Sequence, residues 1–184
     1  IPELQTSEKV LLFTEELVVY RNAPKTDNEL SFTQSNGDEM QVRMVIRTPD
    51  EATFQNLATG EFIEQKEFMG RQFLIEGEPT ALQWKLTGKQ VKIGEYICQD
   101  APLKDTSRKV VAYFTPQIPI PHGPASFSQL PGLILKVEIN DGERVLMMKN
   151  VELNPEEDLT LTAPDKGKKV TREEYDKIVK KKTK

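Results

Sequence analysis

Cysteine, histidine and tryptophan occur once each in the 184 residues, as Cys98, His122 and Trp84. A lone cysteine makes neither an internal disulfide nor a zinc-ligand pair. No HExxH, CxxC or EF-hand loop is present, so no metal site is expected. Glycine-rich phosphate loops and the GxSxG nucleophile elbow are missing too, and no cofactor is expected. Apolar runs are short: Val10–Phe13 and Leu133–Leu135 fall far below the roughly 18 residues that cross a bilayer, so the chain is not expected to be transmembrane. Basic residues are the minority, 25 Lys and Arg against 29 Asp and Glu for a net charge of −4, which argues against nucleic acid as a partner.

What remains is a chain of one-domain length, residues 1–184, with 12 prolines and 10 glycines spread too thinly for a low-complexity polymer. Period-two alternation dominates. Met40, Val42, Met44 and Ile46 alternate with Gln41, Arg43 and Arg47, the pattern of a half-buried strand. Leu133, Leu135, Val137 and Ile139 alternate with Lys136 and Glu138, and Asn140-Asp141-Gly142 then signals a hairpin, after which Val145, Met147, Val151 and Leu153 are expected to resume on one face. Further strands are expected at Lys9–Phe13, Leu17–Tyr20, Glu61–Lys66, Arg71–Glu76, Val91–Gln99 and Arg108–Thr115. Turn residues every 8–15 positions suit an antiparallel meander. Ala23–Asp38 reads as an exposed loop and residues 154–169 as a linker.

One helix is expected, over residues 171–182. Thr171 and Glu174 form a capping box, and Tyr175, Ile178 and Val179 share a face. Lys177 and Lys180–Lys182 crowd its last turn. Such a cluster fits a solvated helix end, where positive charge suits the dipole, and it also fits a patch for anionic lipid or nucleic acid. The expected fold is mainly β: a single strongly curved antiparallel sheet, half-barrel-like, with a Pro-rich crossover loop and this short C-terminal helix.

The crossover is the segment that stands out. Pro116, Pro119, Pro121, Pro124 and Pro131 fall within seventeen residues, which excludes a helix or a central strand. Ile118, Ile120, Phe127 and Leu130 supply anchors to a core, and His122 stands at the expected tip. The segment suits a rigid recognition loop, and equally a stiff crossover that plugs one end of a sheet.

Leu130-Pro131-Gly132-Leu133-Ile134, preceded by His122-Gly123-Pro124 and Phe127, resembles the GLPGLI family of Bacteroidetes proteins, named after a six-residue motif. Trp84 followed by Val91–Ala101, then Val111–Pro116 with Ile118-Pro119, and finally Thr171–Lys177 are similar to family features in the same order. Three positions depart from the pattern. Gln129 replaces the first glycine of the motif, Tyr113-Phe114 replaces a Trp-Tyr pair, and Glu95 is inserted after Gly94. The resemblance implies an exported cell-envelope protein of unknown biochemical function, periplasmic, outer-membrane-associated or secreted after signal-peptide removal, and so accounts for a first residue, Ile1, that is not Met.

Three uses of such a fold are open. A non-enzymatic carrier would hold an apolar ligand, a lipid or an extended peptide, on the concave sheet, with Met40, Met44, Met147 and Met148 as adaptable lining. An assembly protein would contact an outer-membrane partner with no ligand inside. A hydrolase would pair His122 with Cys98 or Asp100. The non-enzymatic readings are preferred, with no catalytic residues, and ligand binding on the curved sheet is placed ahead of assembly, the hydrolase last. The binding positions expected are Trp84, Tyr96, Cys98, Tyr113, His122, Gly123, Pro124, Phe127, Leu130, Pro131 and Gly132. Gly132 is expected to hold a backbone conformation that a side chain would strain.

Overall fold

Thirteen strands and one helix make up the computed structural model, which describes residues 7–22, 28–36, 38–46, 51–104, 107–153 and 161–183, and only the backbone between 28 and 46. The expected turn glycine Gly37, Arg47, the start of the loop at residue 23 and the first half of the linker lie outside these residues, as do the side chains of Met40 and Met44.

The fold is mainly β, but the strands divide between two large sheets and a hairpin instead of one sheet. The six-stranded sheet contains β1 (Lys9–Phe13), β2 (Leu17–Asn22), β5 (Ala52–Asn56), β6 (Glu61–Phe68), β7 (Arg71–Gly77) and β13 (Lys168–Thr171), in that order. All its pairs are antiparallel except β13 on β7. The five-stranded sheet is antiparallel, ordered β12 (Arg144–Met147), β11 (Leu133–Ile139), β10 (Val110–Thr115), β9 (Tyr96–Pro102) and β8 (Gln90–Ile93). β3 (Asn28–Asn36) and β4 (Asp38–Ile46) pair with each other, so most of the expected 23–38 loop is a strand. Lys168–Thr171, read in part as linker, is the strand β13.

Two local features redirect the expected strands. The Val91–Gln99 run breaks at Gly94, whose φ of 58° reverses the chain between β8 and β9. Between Tyr113 and Phe114 the β10–β11 register shifts from Lys136 to Ile134, leaving Leu135 as the extra residue of a bulge. The shift moves β11 from one cluster to another: Leu133 and Leu135 pack with Cys98 and Ile118, whereas Ile134, Val137 and Ile139 pack with Ala112 and Phe114.

The helix α1 (Arg172–Lys182) begins at the expected capping box. Thr171 Oγ1 accepts from Glu174 N at 3.1 Å, and Glu174 Oε2 accepts from Thr171 N at 3.1 Å. The chain turns at this cap, so α1 runs back over the sheet it has just left. Tyr175, Ile178 and Val179 then pack on Phe73, Ile75 and Val170.

Between β10 and β11 the Pro-rich crossover covers both sides of the five-stranded sheet. Its first half puts Ile118 and Ile120 into the cluster of Cys98, Leu133 and Leu135, joined by Leu11 and Phe13 from β1. Its second half puts Phe127 and Leu130 into the cluster of Ala112, Ile134 and Val137. Burying each such side chain contributes about 1.5–3 kcal/mol. Gly132 closes the wrap, where a Cβ would lie 2.2 Å from the Thr115 carbonyl oxygen. The expected strain on a side chain here therefore comes from close backbone contact and not from a left-handed conformation, because its φ is not positive. Gly132→Val should lower Tm by about 5–10 °C, an overpacking cost of a few kcal/mol in a chain of this size, measured by thermal unfolding.

Candidate functional site

The expected binding positions come together around the crossover, and most of them are interior. His122, Gly123, Phe127, Leu130 and Gly132 are buried, Pro124 is half-buried and Pro131 is exposed. Cys98 lies in the cluster on the other side of the sheet, with Tyr96 and Tyr113 partly buried against it. Trp84 is half-buried against Phe127, with ring centroids 6.4 Å apart, and its Nε1 donates to Ser128 O at 2.9 Å.

The crossover forms its own backbone ladder. Leu133 N donates to Ile118 O at 2.9 Å, Ile134 N to His122 O at 3.0 Å and Gln129 N to Pro121 O at 3.2 Å. This satisfies polar groups that burial would otherwise strand. Gly123 sits where a Cβ would be 2.6 Å from Phe127 O and 2.8 Å from Ile134 Cβ, so the glycine permits the two halves to meet.

Gln129 was legible only as a departure from the family motif; its role appears in the fold. It takes φ +73°, a conformation glycine adopts freely and other residues adopt at a cost. Its side chain supplies two compensating bonds: Oε1 accepts from Leu82 N at 3.0 Å, and Nε2 donates to Thr80 O at 3.0 Å. With the Trp84–Ser128 bond, these latch residues 80–84 onto the crossover.

His122 is 1 % exposed and packs beside the Phe13 ring at 6.2 Å. Burial pushes its pKa below the ordinary value, while the carbonyls of Thr14 and Pro121 oppose the shift by favouring the protonated ring. Nε2 is buried and has no hydrogen-bond partner among the described residues. Neither proposed catalytic companion engages it. Cys98 Sγ faces its own strand, 4.0 Å from Tyr96 O, and burial pushes its thiol pKa up, away from the thiolate. Asp100 accepts from the Thr87 hydroxyl. Tyr113 is capped by Lys136 Nζ, 5.3 Å from the ring centroid.

The space left where the crossover meets the six-stranded sheet is about 20 Å³, lined by Val18, Thr53, His122, Gly123 and Phe127 among others. That is room for about one water. Among the described residues, no three His, Cys, Asp or Glu side chains gather as a metal site would require.

Residues 103–136, which end within β11 and include the whole crossover, match a family model described as a protein of unknown function, Porph_ging. No curated protein matches the sequence. The chain is similar in fold to two solved structures of PNGF-II, one in space group C2 (TM-score 0.65, 15 % identity) and one in P21 (TM-score 0.59, 14 % identity). The alignments cover 96 % and 97 % of this chain and 30 % of those chains, so the chain spans under a third of the length of these neighbours. At such identity the likeness is one of fold alone.

Two outcomes are expected from the crossover's geometry. Gln129→Ala keeps the positive φ and loses both side-chain bonds, so it should cost about 1–2 kcal/mol in urea unfolding; Gln129→Gly relieves the strain and should lie within about 1 kcal/mol of the parent. His122 should make stability pH-dependent. Its folded pKa is depressed, so below about pH 6.5 the unfolded chain binds a proton that the folded chain does not. Stability is then intact above that pH and falls by up to ~1.4 kcal/mol for each unit below it, as far as the folded pKa. Comparing Tm at pH 7.5 and 5.5, the loss should be larger for the parent than for His122→Phe.

Proposed function

We propose that the chain is a non-enzymatic binding module of an exported cell-envelope protein, which holds its partner on its outer surface and not between its sheets. The observation that carries this reading is the packing where the crossover meets the six-stranded sheet: beside His122 and Phe127 the space left among the described residues is about 20 Å³. This favours the assembly reading over a carrier with a concave apolar cavity. The absence of a polar partner at His122 Nε2, with Cys98 and Asp100 engaged elsewhere, weighs against the hydrolase reading.

An envelope location is supported by the resemblance to the GLPGLI family, whose motif region overlaps the Porph_ging match at 103–136. A role as one module among others is supported by fold similarity to a part of PNGF-II. Trp84, Phe127, Leu130 and Gly132 then act as structural residues that hold the scaffold rigid, and exposed apolar side chains such as Leu86 and Met147 are available to partners.

Native mass spectrometry of gently extracted, gel-filtered protein tests the reading. The expected mass is that of the chain alone. A stoichiometric apolar molecule that survives gel filtration and leaves only on unfolding would place the ligand inside and overturn the proposal.

A further inference from the structure

Far from the crossover, α1 and the β6–β7 hairpin enclose a groove of about 620 Å³. Its lining combines Phe68, Phe73 and Ile178 with the cations Arg71, Lys168, Lys181 and Lys182. The arrangement follows from the cap at Thr171. Because α1 returns over the sheet, its last turn comes back to the level where β7 begins, and lysines 181 and 182 meet Arg71 there. The volume is that of a small-molecule site.

The charge at this place is one-sided. Among the described residues none of the four cations has a carboxylate within salt-bridge distance, although Lys66, Lys109, Lys136, Lys149, Lys169 and Arg172 all do. Opposing charge nearby comes from Glu67, which accepts from Gln72 Nε2 at 3.4 Å, and from the helix C-terminus, worth roughly −0.5 of a charge. Four positive charges exceed both. Beside the groove, Met69 occupies a left-handed turn position, φ 50°, and is 65 % exposed, so the hairpin tip adds another apolar side chain next to Phe68.

We propose that this groove binds a single-chain anionic amphiphile, a long-chain carboxylate, with its chain on Phe68, Phe73 and Ile178 and its head among Arg71, Lys168, Lys181 and Lys182. The donor inventory selects this chemistry over a peptide. Lysine and arginine donate and never accept. The amide of Gln72 is already used on both sides, accepting from Gln65 Nε2 and donating to Glu67. The lining side chains therefore offer a peptide's N–H groups no free acceptor, whereas a methylene chain needs none. A carboxylate presents acceptors only, at one end, which is what the rim is built to receive.

The test uses cis-parinaric acid, a fluorescent long-chain carboxylate, titrated into the full chain beside its methyl ester. The acid should bind saturably and at least ten-fold more tightly than the ester. Lys181→Gln with Lys182→Gln should weaken it about ten-fold or more, as should raising salt from about 0.05 M to about 0.5 M. Arg71→Gln, on the hairpin and not the helix, should weaken it independently; all three side chains are exposed, and circular dichroism checks that the helix is retained. Equal affinity for acid and ester, or indifference to these substitutions, would overturn the proposal. So would binding of an acidic leucine-containing peptide or of phosphatidylglycerol vesicles without binding of the free acid. The inference rests on the reading of the chain as a surface-binding module, and the two fail differently. If the acid does not bind, the groove assignment falls and the module reading stands. If the acid binds regardless of Arg71, Lys181 and Lys182 and is released only on unfolding, the module reading falls with it.

Discussion

A loop can be buried only if its backbone is satisfied without water, and this condition governs the whole five-stranded sheet. The segment from Pro116 to Gly132 passes from one side of that sheet to the other, and Ile118, His122, Gly123, Phe127, Leu130 and Gly132 are buried along it. Five of its residues are proline and bring no N–H to satisfy. The remaining demand is met by short internal bonds, Ile118 O with Leu133 N and His122 O with Ile134 N above all. The close approach this needs excludes side chains at Gly123 and Gly132, where a Cβ would meet backbone at 2.6 and 2.2 Å. Proline density and the two glycines are thus answers to one problem.

The same condition explains the behaviour of the histidine. A buried imidazole with an unpartnered Nε2 is costly, and protonating it is costlier still, because burial outweighs the help of the Thr14 and Pro121 carbonyls. Beside the Phe13 ring, His122 serves as a packing element that joins β1 of one sheet to the crossover of the other. The latch of Trp84 and Gln129 performs a similar service from residues 80–84.

Sequence patterning read the strands well wherever one face is plainly apolar and a turn is chemically marked. Val110–Thr115, Leu133–Ile139 and the Asn140–Gly142 reversal were all legible, as was the capped helix. Patterning failed where register, not composition, decides the outcome. Four residues separate Ile139 from its partner Arg144, which sets Leu146 opposite Val137 and turns Val145 and Met147 outward, 44 % and 64 % exposed. A one-residue difference in register exchanges the two faces of a strand. The bulge at Leu135 did the same within β11. Lys168–Thr171 has no strand signal of its own, since its conformation comes from parallel pairing with β7, a tertiary effect. Of the candidate site, the crossover was legible as a special segment because of its prolines. Its role as core was not, because buried and exposed loops share the same residues and differ only in where their backbone bonds go.

Net charge hides the other chemically distinct place on the molecule. A chain at −4 repels anions on average, and composition alone points away from an anionic ligand. Screening confines that average: at physiological salt charges interact over about 8 Å, so a ligand in the groove responds to its immediate neighbours. Those neighbours are drawn together by topology from three separate places in the chain, Arg71 at the start of β7, Lys168 at the start of β13 and the lysines that end α1. The terminal lysines alone are accounted for by the helix dipole; Arg71 and Lys168 are not. The short capped return of α1 over its own sheet is what turns an ordinary basic helix end into a concave site with a single sign of charge.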